Sequence, residues 1–128
     1  MSGGAMDYAY VKIDMAAEDV KGELLRIVQD EDSIEYFKAA PYYMQKYPFD
    51  RRMFSPEELR RDVVNKLKEA YAALRRASVY ARRCEWLMSA DDGYEAFVLR
   101  TERDLKQLEE ELEAEFGDSN SKRNGDEQ

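Results

Sequence analysis

Apolar residues recur at helical spacing through most of the chain, and they predict an all-α fold of about four helices. The most regular pattern lies in the longest predicted helix, the third, where apolar or small residues alternate spacings of four and three over about three and a half heptads. We call these eight residues the heptad seam: Val63, Leu67, Ala70, Leu74, Ala77, Ala81, Cys84 and Met88. This coiled-coil-like pattern predicts that a second helix packs along the seam.

The sequence FSPEEL marks the start of this third helix. Ser55 is a predicted N-cap, and Glu58 stands at the capping-box position. Pro56 occupies the first helical position, and Phe54 can staple the first turn from outside. No Gly or Pro follows before residue 93, so one helix is expected over about 56–88.

A fourth helix is predicted over about 93–116, after the polar segment SADDGYE and before Gly117. Because only a short polar turn separates the third and fourth helices, they are expected to form a long antiparallel hairpin that dominates the fold. The three alanines of the seam would let the two backbones approach closely. The apolar stripe of the fourth helix has the same alternating spacings of three and four residues. It consists of Val98, Thr101, Leu105, Leu108 and Leu112.

Two shorter N-terminal helices are predicted to pack on this hairpin. The first runs over about 15–29 with Asp14 as its cap, and the second begins near Asp32, which has capping-box spacing to Glu35. The preceding residues, YAYVKID, are rich in β-branched and aromatic side chains and are expected to be extended. The predicted organisation is a flexible or extended segment over 1–14, one helical domain over 15–117 and a disordered tail over 118–128.

Composition narrows the class of protein. A chain of 128 residues is large enough for one hydrophobic core. A formal net charge of -8 argues against unaided binding to nucleic acid or an anionic membrane, although a local basic stripe can still bind phosphates. A single cysteine excludes an intrachain disulfide, and no apolar run reaches membrane-spanning length. With no signal-like start, the sequence predicts a cytoplasmic protein without a membrane partner.

The absence of histidine removes most catalytic arrangements, including the Ser-His and Cys-His pairs and the histidine metal motifs. Cys84 lies on the heptad seam and is interpreted as a small buried hydrophobe. Carboxylates remain as ligands for Mg²⁺, in the pairs Asp32 with Glu35 and Glu58 with Asp62, but both pairs stand at helix starts where acids complement the dipole. The sequence therefore predicts no catalytic residue, no metal ligand and no cofactor.

Basic residues and one tryptophan recur on the side of the third helix away from the seam. The acids Glu102, Asp104, Glu109 and Glu111 flank the seam on the fourth helix, so the arginines are expected to point outward and to leave a bipolar surface. Two accounts of this side remain open. In the first, the N-terminal helices cover Val79 and Trp86 while the arginines pair with acids at the rim; in the second, the side binds an acidic partner or a phosphate backbone. Its candidate partner-binding residues are Lys68, Arg75, Arg76, Arg82, Arg83 and Trp86.

The segment APYYMQKYPFDRRMF, over 40–54, is the most aromatic stretch of the chain. Its prolines exclude one continuous helix, so it is expected to form a bent connector. Tyrosines in such a connector plug the end of a core, since their hydroxyls can stay in water, but Tyr and Met are also enriched at protein interfaces. Tyr42, Tyr43 and Tyr47 therefore complete the candidate partner-binding set.

Together these features predict a non-catalytic helical protein-interaction module, a self-associating adaptor or a small subunit of a larger assembly. Three alternatives remain. The first is a nucleic-acid-associated subunit that uses the basic side of the third helix. The second is an acidic inhibitor whose EEELEAE run imitates a phosphate backbone, and the third is a Mg²⁺-dependent all-α nucleotide hydrolase.

Overall fold

The computed structural model describes residues 6–38 and 55–116, and within these ranges the chain forms helices joined by short turns. The helices are α1 (Ala9–Gln29), α2 (Ile34–Lys38), α3 (Pro56–Met88) and α4 (Tyr94–Phe116). The predicted all-α fold, with a long hairpin and two shorter N-terminal helices, is confirmed. No described helix is long and apolar enough to span a membrane. The aromatic connector, Phe54 and the tail over 118–128 lie outside the described residues.

The third helix, α3, begins and ends where the sequence predicts. Ser55 Oγ accepts a hydrogen bond from the Glu58 N–H at 3.2 Å, and Glu58 Oε1 accepts one from the Ser55 N–H at 3.2 Å. Pro56 stands beside this complete capping box at the start of the helix. At about 1.5 Å per residue α3 is about 50 Å long. Every other described helix packs against it.

Both long neighbours, α1 and α4, run antiparallel to α3. Two contacts on each side of α3 set these directions. They are Glu85 with Tyr8 and Arg60 with Ile27 on the α1 side, and Arg83 with Asp92 and Arg75 with Glu115 on the α4 side. α1 and α4 are therefore parallel to each other and occupy two different sides of α3. The predicted hairpin is formed by α3 and α4, and α1 packs along α3 more extensively than α4 does.

The hydrophobic core lies where α1, α3 and α4 meet. Ala17, Tyr71, Leu108 and Leu112 are buried there, and Phe116 packs against them. The rings of Tyr71 and Phe116 meet edge to face with centroids 5.3 Å apart, the geometry that aromatic quadrupoles favour. One side chain from α1, one from α3 and two from α4 thus close the contact among the three helices.

Most of the heptad seam does not join α3 to α4, so that part of the prediction is wrong. The core that holds the leucines of α4 is contacted by Ala72, Val79 and, from the seam, Leu74. Ala70 and Ala77 of the seam are exposed. Two residues along a helix correspond to a rotation of about 200°, so Ala72 and Val79 stand nearly opposite Ala70 and Ala77. The spacing identifies an apolar stripe, but it does not identify which helix covers that stripe.

The first helix, α1, begins at Ala9, so the prediction of an extended segment up to Asp14 is wrong for residues 9–14. Glu85 Oε2 on α3 accepts hydrogen bonds from the backbone N–H groups of Met6 at 3.0 Å and Tyr8 at 2.7 Å. This carboxylate takes the place of a local cap, and its charge complements the positive end of the helix dipole. Asp14 therefore lies inside α1 and does not cap it.

The short helix α2 is tied to the start of α3 through Arg60. Arg60 Nε donates to Ser33 Oγ at 2.8 Å, and Arg60 Nη2 donates to the Ile27 carbonyl at 3.0 Å. Ser33 is fully buried directly before α2, which begins at Ile34, close to the predicted start. One arginine thus satisfies a buried hydroxyl and a carbonyl near the end of α1, as buried polar groups require.

Candidate interaction surface

Arginines that the sequence places on an outward side of α3 bind acids of α4. Arg76 Nε and Nη2 donate to the two carboxylate oxygens of Glu109 at 2.7 and 3.0 Å. Arg75 Nη2 donates to Glu111 at 3.0 Å, and its Nη1 donates to the Tyr71 hydroxyl at 2.6 Å. The expectation that these arginines point away from the hairpin is therefore wrong. An arginine stem can lie along a helix contact while its guanidinium reaches a carboxylate at the edge.

Arg83 is buried, and its charge is matched by two aspartates. Its Nε donates to Asp104 Oδ2 at 2.7 Å, and its Nη1 donates to Asp92 Oδ2 at 3.3 Å. Its Cζ atom lies 4.8 Å from the ring centroid of Trp86, and the Cζ atom of Arg82 lies 5.7 Å from the same ring. Both distances are within cation–π range. The predicted proximity of the tryptophan to these arginines is confirmed.

Most of the candidate partner-binding residues of α3 lie close together, but their charged groups bind acids within the same chain. Arg75, Arg76, Arg82 and Arg83 all form ion pairs with acids of α4 or of the turn before it. Lys68 lies half-buried on α3. The other three candidates, Tyr42, Tyr43 and Tyr47, lie outside the described residues. A partner-binding role for this set stays a prediction.

Glu115 is the centre of a charged cluster that links all three long helices. Lys21 Nζ from α1 lies 2.7 Å from Glu115 Oε2, and the Tyr71 hydroxyl lies 3.2 Å from both carboxylate oxygens. Burial by itself raises the pKa of the Glu115 carboxyl, but the hydrogen bond and charge of Lys21, with help from Tyr71 and Arg75, lower it overall. The same contact raises the pKa of the Lys21 ammonium. Glu115 is thus held in its ionised form.

A cleft of about 250 Å³ lies between α1, α3 and α4. Two guanidiniums, of Arg75 and Arg82, and three carboxylates, of Asp14, Asp104 and Glu111, line it. Arg75 binds Glu111, and Arg82 Nη2 lies 3.5 Å from Asp104 Oδ2, so the cations already face acids of the same cleft. We therefore do not assign an ionic ligand to it.

A shallow apolar groove of about 450 Å³ lies on the N-terminal half of α3, away from α4. Three of its residues belong to the heptad seam that the sequence predicts to be covered. Two charged residues, Asp62 and Lys66, also line it. The apolar lining residues are Leu59, Val63, Leu67 and Ala70.

The apolar surface continues along α3 toward its C-terminal end. Ala70, Ala73 and Ala77 are exposed, and Tyr80 and Met88 retain 50% and 64% of their accessible surface. Positions 70, 73, 77, 80, 84 and 88 share this side of the helix, and none is charged, although 38% of the chain is. An exposed helix side is normally the charged one. We call the following residues the open face: Leu59, Val63, Leu67, Ala70, Ala73, Ala77, Tyr80 and Met88.

Exposed apolar residues also gather around the turn between α3 and α4. Tyr94 is 84% exposed, and Val98 and Leu99 of the first turns of α4 are at least half exposed. A depression of about 550 Å³ beside them is lined by Leu87, Met88 and Tyr94, among others. Met88 belongs to both this depression and the open face, so the two apolar regions are continuous.

Glu85 has a structural role that the sequence pattern did not predict, because its buried carboxylate binds the start of α1. Tyr71, Ser78 and Glu85 lie seven residues apart on α3, and all three are buried. Ser78 Oγ donates to the Tyr10 carbonyl of α1 at 3.3 Å. The side of α3 next to the heptad seam therefore faces α1. The signal in the sequence was the repeat Val64, Tyr71, Ser78 and Glu85, one position beyond each of four seam residues.

Within residues 6–38 and 55–116, no group of three or more Asp, Glu, Cys or His side chains is placed to hold a metal ion. Of the two carboxylate pairs considered for Mg²⁺, Glu58 caps α3 through the Ser55 N–H. Its pKa is lowered by that hydrogen bond. Glu58 is therefore accounted for as a helix-start residue.

No family model, curated protein or solved structure matches this chain.

Proposed function

We propose that this protein is a non-catalytic helical interaction module that self-associates through the open face of α3. The observation that supports the proposal is the exposure of the open face, which carries the exposed alanines at 70, 73 and 77 together with Tyr80 and Met88. Soluble monomers seldom leave a contiguous apolar stripe of this kind exposed, and such stripes mark protein contacts.

The size of the open face fits a specific contact. From Leu59 to Met88 it extends over about 45 Å, and a helix with its side chains is about 10 Å wide. Two such faces would together bury roughly 1,000 Å², which is about the minimum for a specific protein interface. The exposed residues at the turn, Tyr94 and Val98, lie next to one end and can add to this area.

The composition of the open face fits a second copy of the same acidic chain. Two molecules of net charge -8 repel each other, and contact is least unfavourable through a surface with few acids. The groove of the open face holds one acid, Asp62, and one cation, Lys66. The exposed alanines at 70, 73 and 77 permit close approach of two helices, and spacings of three and four are those that helix pairs use. A cytoplasmic location is part of this proposal and rests on the sequence features alone.

Sedimentation velocity from low to high micromolar concentration tests the proposal. We expect the wild-type mass to rise from monomer toward dimer, and Ala77→Arg to remain monomeric because a long cation then stands in the middle of the open face. Ala114→Arg is the matched control, since Ala114 is an exposed alanine on α4 away from that face. A wild-type chain that stays monomeric, or an Ala77→Arg variant that associates like wild type, overturns the proposal.

The geometry supports the nucleic-acid alternative less well. Arg75, Arg76 and Arg83 donate to acids of α4 or the preceding turn, and two guanidiniums lie against Trp86. A phosphate or a base would have to displace these contacts. The acids that a nucleic-acid mimic would present include Glu109 and Glu111, and both bind arginines of α3.

A further inference from the structure

We infer that the chain's own segment 39–54, which joins α2 to α3 and lies outside the described residues, occupies the groove on α3 within the same molecule. The groove is the apolar surface between Leu59 and Ala70 described above. This inference does not rest on the proposed self-association. Both can hold, because the open face continues from Ala73 to Met88 beyond the groove.

The segment enters α3 at the edge of the groove. Its last residue, Phe54, directly precedes the N-cap Ser55, and Leu59 is the fourth residue of the helix. In helices that begin with a capping box, as α3 does, residues at these two positions often pack against each other as a hydrophobic staple. Leu59 also lines the groove. A staple between them places Phe54 at the N-terminal end of the groove.

The segment also begins close to α3. It follows Lys38, the last residue of α2, and the start of α2 is tied to α3 because Arg60 Nε donates to Ser33 Oγ at 2.8 Å. The pKa of Lys38 is raised mainly by its hydrogen bond to Glu35, and the charge of Glu57 in the first turn of α3 adds to this effect. Lys38 therefore lies within electrostatic range of the end of α3 at which the segment rejoins the described fold.

The length of the segment suits the groove. Its 16 residues span at most about 55 Å when extended. The groove from Leu59 to Ala70 extends over about 17 Å of the helix, at ~1.5 Å per residue. The segment is therefore long enough to follow the groove and return to Ser55. Because both of its ends are tied to this end of α3, its effective concentration at the groove is about millimolar, and a second copy at micromolar concentration competes at a large disadvantage.

The chemistry of the segment also suits the groove. Five of its residues are aromatic and two are methionines, which can cover Leu59, Val63 and Leu67. Its charged residues give it a net charge of +2, and they are Lys46, Asp50, Arg51 and Arg52. The groove itself holds one acid and one cation, Asp62 and Lys66, and favours neither sign. A segment of positive net charge is nevertheless attracted to an acidic chain, whereas a second copy of net charge -8 is repelled.

Thiol reactivity of the full chain at low micromolar concentration tests the inference. The probe is Val63→Cys in a Cys84→Ser background, and the control is Ala73→Cys in the same background, at an exposed position of the open face beyond the groove. We expect a chromogenic disulfide reagent to modify position 63 several-fold more slowly with the native segment than with a segment whose aromatic side chains are truncated. Position 73 should react equally fast in both.

Two variants truncate the segment. The larger one combines the substitutions Tyr42→Ser, Tyr43→Ser, Tyr47→Ser and Phe49→Ser. Phe54→Ala alone removes the staple, should give a smaller acceleration at position 63, and serves as the test if circular dichroism shows that the larger variant is unfolded. Equal reaction at position 63 with the native and the truncated segments overturns the inference.

Sedimentation of the same samples separates this inference from the proposed function. Slow reaction at position 63 in the monomer, relieved by truncation, supports the inference whether or not the chain associates. Protection that appears only as the chain associates means that a second copy covers the groove, which overturns the inference while the proposed function stands. A chain that stays monomeric at every concentration with position 63 protected overturns the proposed function alone.

Discussion

Arg76 of α3 and Glu109 of α4 bind each other through two hydrogen bonds, at 2.7 Å from Nε and 3.0 Å from Nη2. The pair fixes which side of α3 the fourth helix occupies. Because Ala72 and Val79 pack against the leucines of α4, the alanines nearly opposite them, Ala70 and Ala77, cannot face α4 as well. Ion pairs at the edges of the hairpin therefore help to hold α4 on α3, and an apolar side of α3 stays exposed.

Reversing the Arg76–Glu109 pair should show its role in docking α4. We expect Arg76→Glu to lower the free energy of unfolding by about 1 kcal/mol, because it sets two acids together, and the double variant with Glu109→Arg to recover most of that loss. Urea denaturation measures both. The effect should shrink at high salt, because both side chains are about half exposed. Equal losses in the single and double variants would argue against the pairing.

Removal of the buried Arg83 guanidinium should lower the free energy of unfolding far more than disruption of the Arg76–Glu109 pair does. Arg83→Met leaves Asp92 and Asp104 without their buried partner, and we expect a loss of about 3 to 5 kcal/mol in the free energy of unfolding. The control is Arg103→Met, which removes an exposed partner of the same Asp104 and should cost less than about 1 kcal/mol. Chemical denaturation compares the two, and similar losses would contradict the burial of Arg83.

Glu85 should hold the first turn of α1 from a distance. Glu85→Ala removes the acceptor for the N–H groups of Met6 and Tyr8, and we expect a loss of about 1 to 3 kcal/mol. Hydrogen exchange should accelerate in the first turn of α1 more than in α4. Glu113→Ala, at an exposed position of α4, serves as the control. Unchanged exchange at the start of α1 would show that its cap lies elsewhere.

Acid should weaken the contact among the long helices. Burial raises the pKa of Asp104, but hydrogen bonds and charge from Arg83 and Arg103 lower it overall, and the pKa of Glu115 is lowered as described above. Groups whose folded pKa lies below the unfolded value of about 4 stabilise the fold above that pH, and this stability is lost as pH falls through the folded pKa.

We therefore expect the thermal midpoint to fall as pH is lowered through about 4 and below. Glu115→Gln should flatten that dependence, because a neutral amide does not titrate. Thermal unfolding followed by circular dichroism at a series of pH values measures this. A wild-type midpoint that rises on acidification, or a variant with the full wild-type slope, would contradict the assigned ion pairs.

Local chemistry made part of the fold predictable. The start of α3 depends on Ser55, Pro56 and Glu58, which stand within four positions, and its length depends on the absence of Gly and Pro. Such signals act within one or two helical turns, so the sequence displays them directly. The bounds of α3 and of the hairpin follow from them.

Contacts between distant residues account for the errors. The start of α1 depends on Glu85, which is 77 positions away from Tyr8 along the chain. The side of α3 that meets α4 depends on arginines whose charge suggested solvent, although their stems can cover apolar surface and their guanidiniums reach acids of another helix. The seven-residue repeat that contains Glu85 marks one side of α3 but does not identify what that side contacts, and the arginines give no spacing signal for α4. Both relationships therefore required the folded arrangement.

The most direct measurement is the thiol reactivity of Ala77→Cys in a Cys84→Ser background under reducing storage, followed with a chromogenic disulfide reagent. At low micromolar concentration the account predicts fast reaction, similar to that of Ala114→Cys, because the open face is exposed in the monomer. At high concentration it predicts several-fold protection at position 77 and none at position 114. Slow reaction at every concentration would mean that α4 or another part of the chain covers the seam, and fast reaction at every concentration would mean that the open face does not associate.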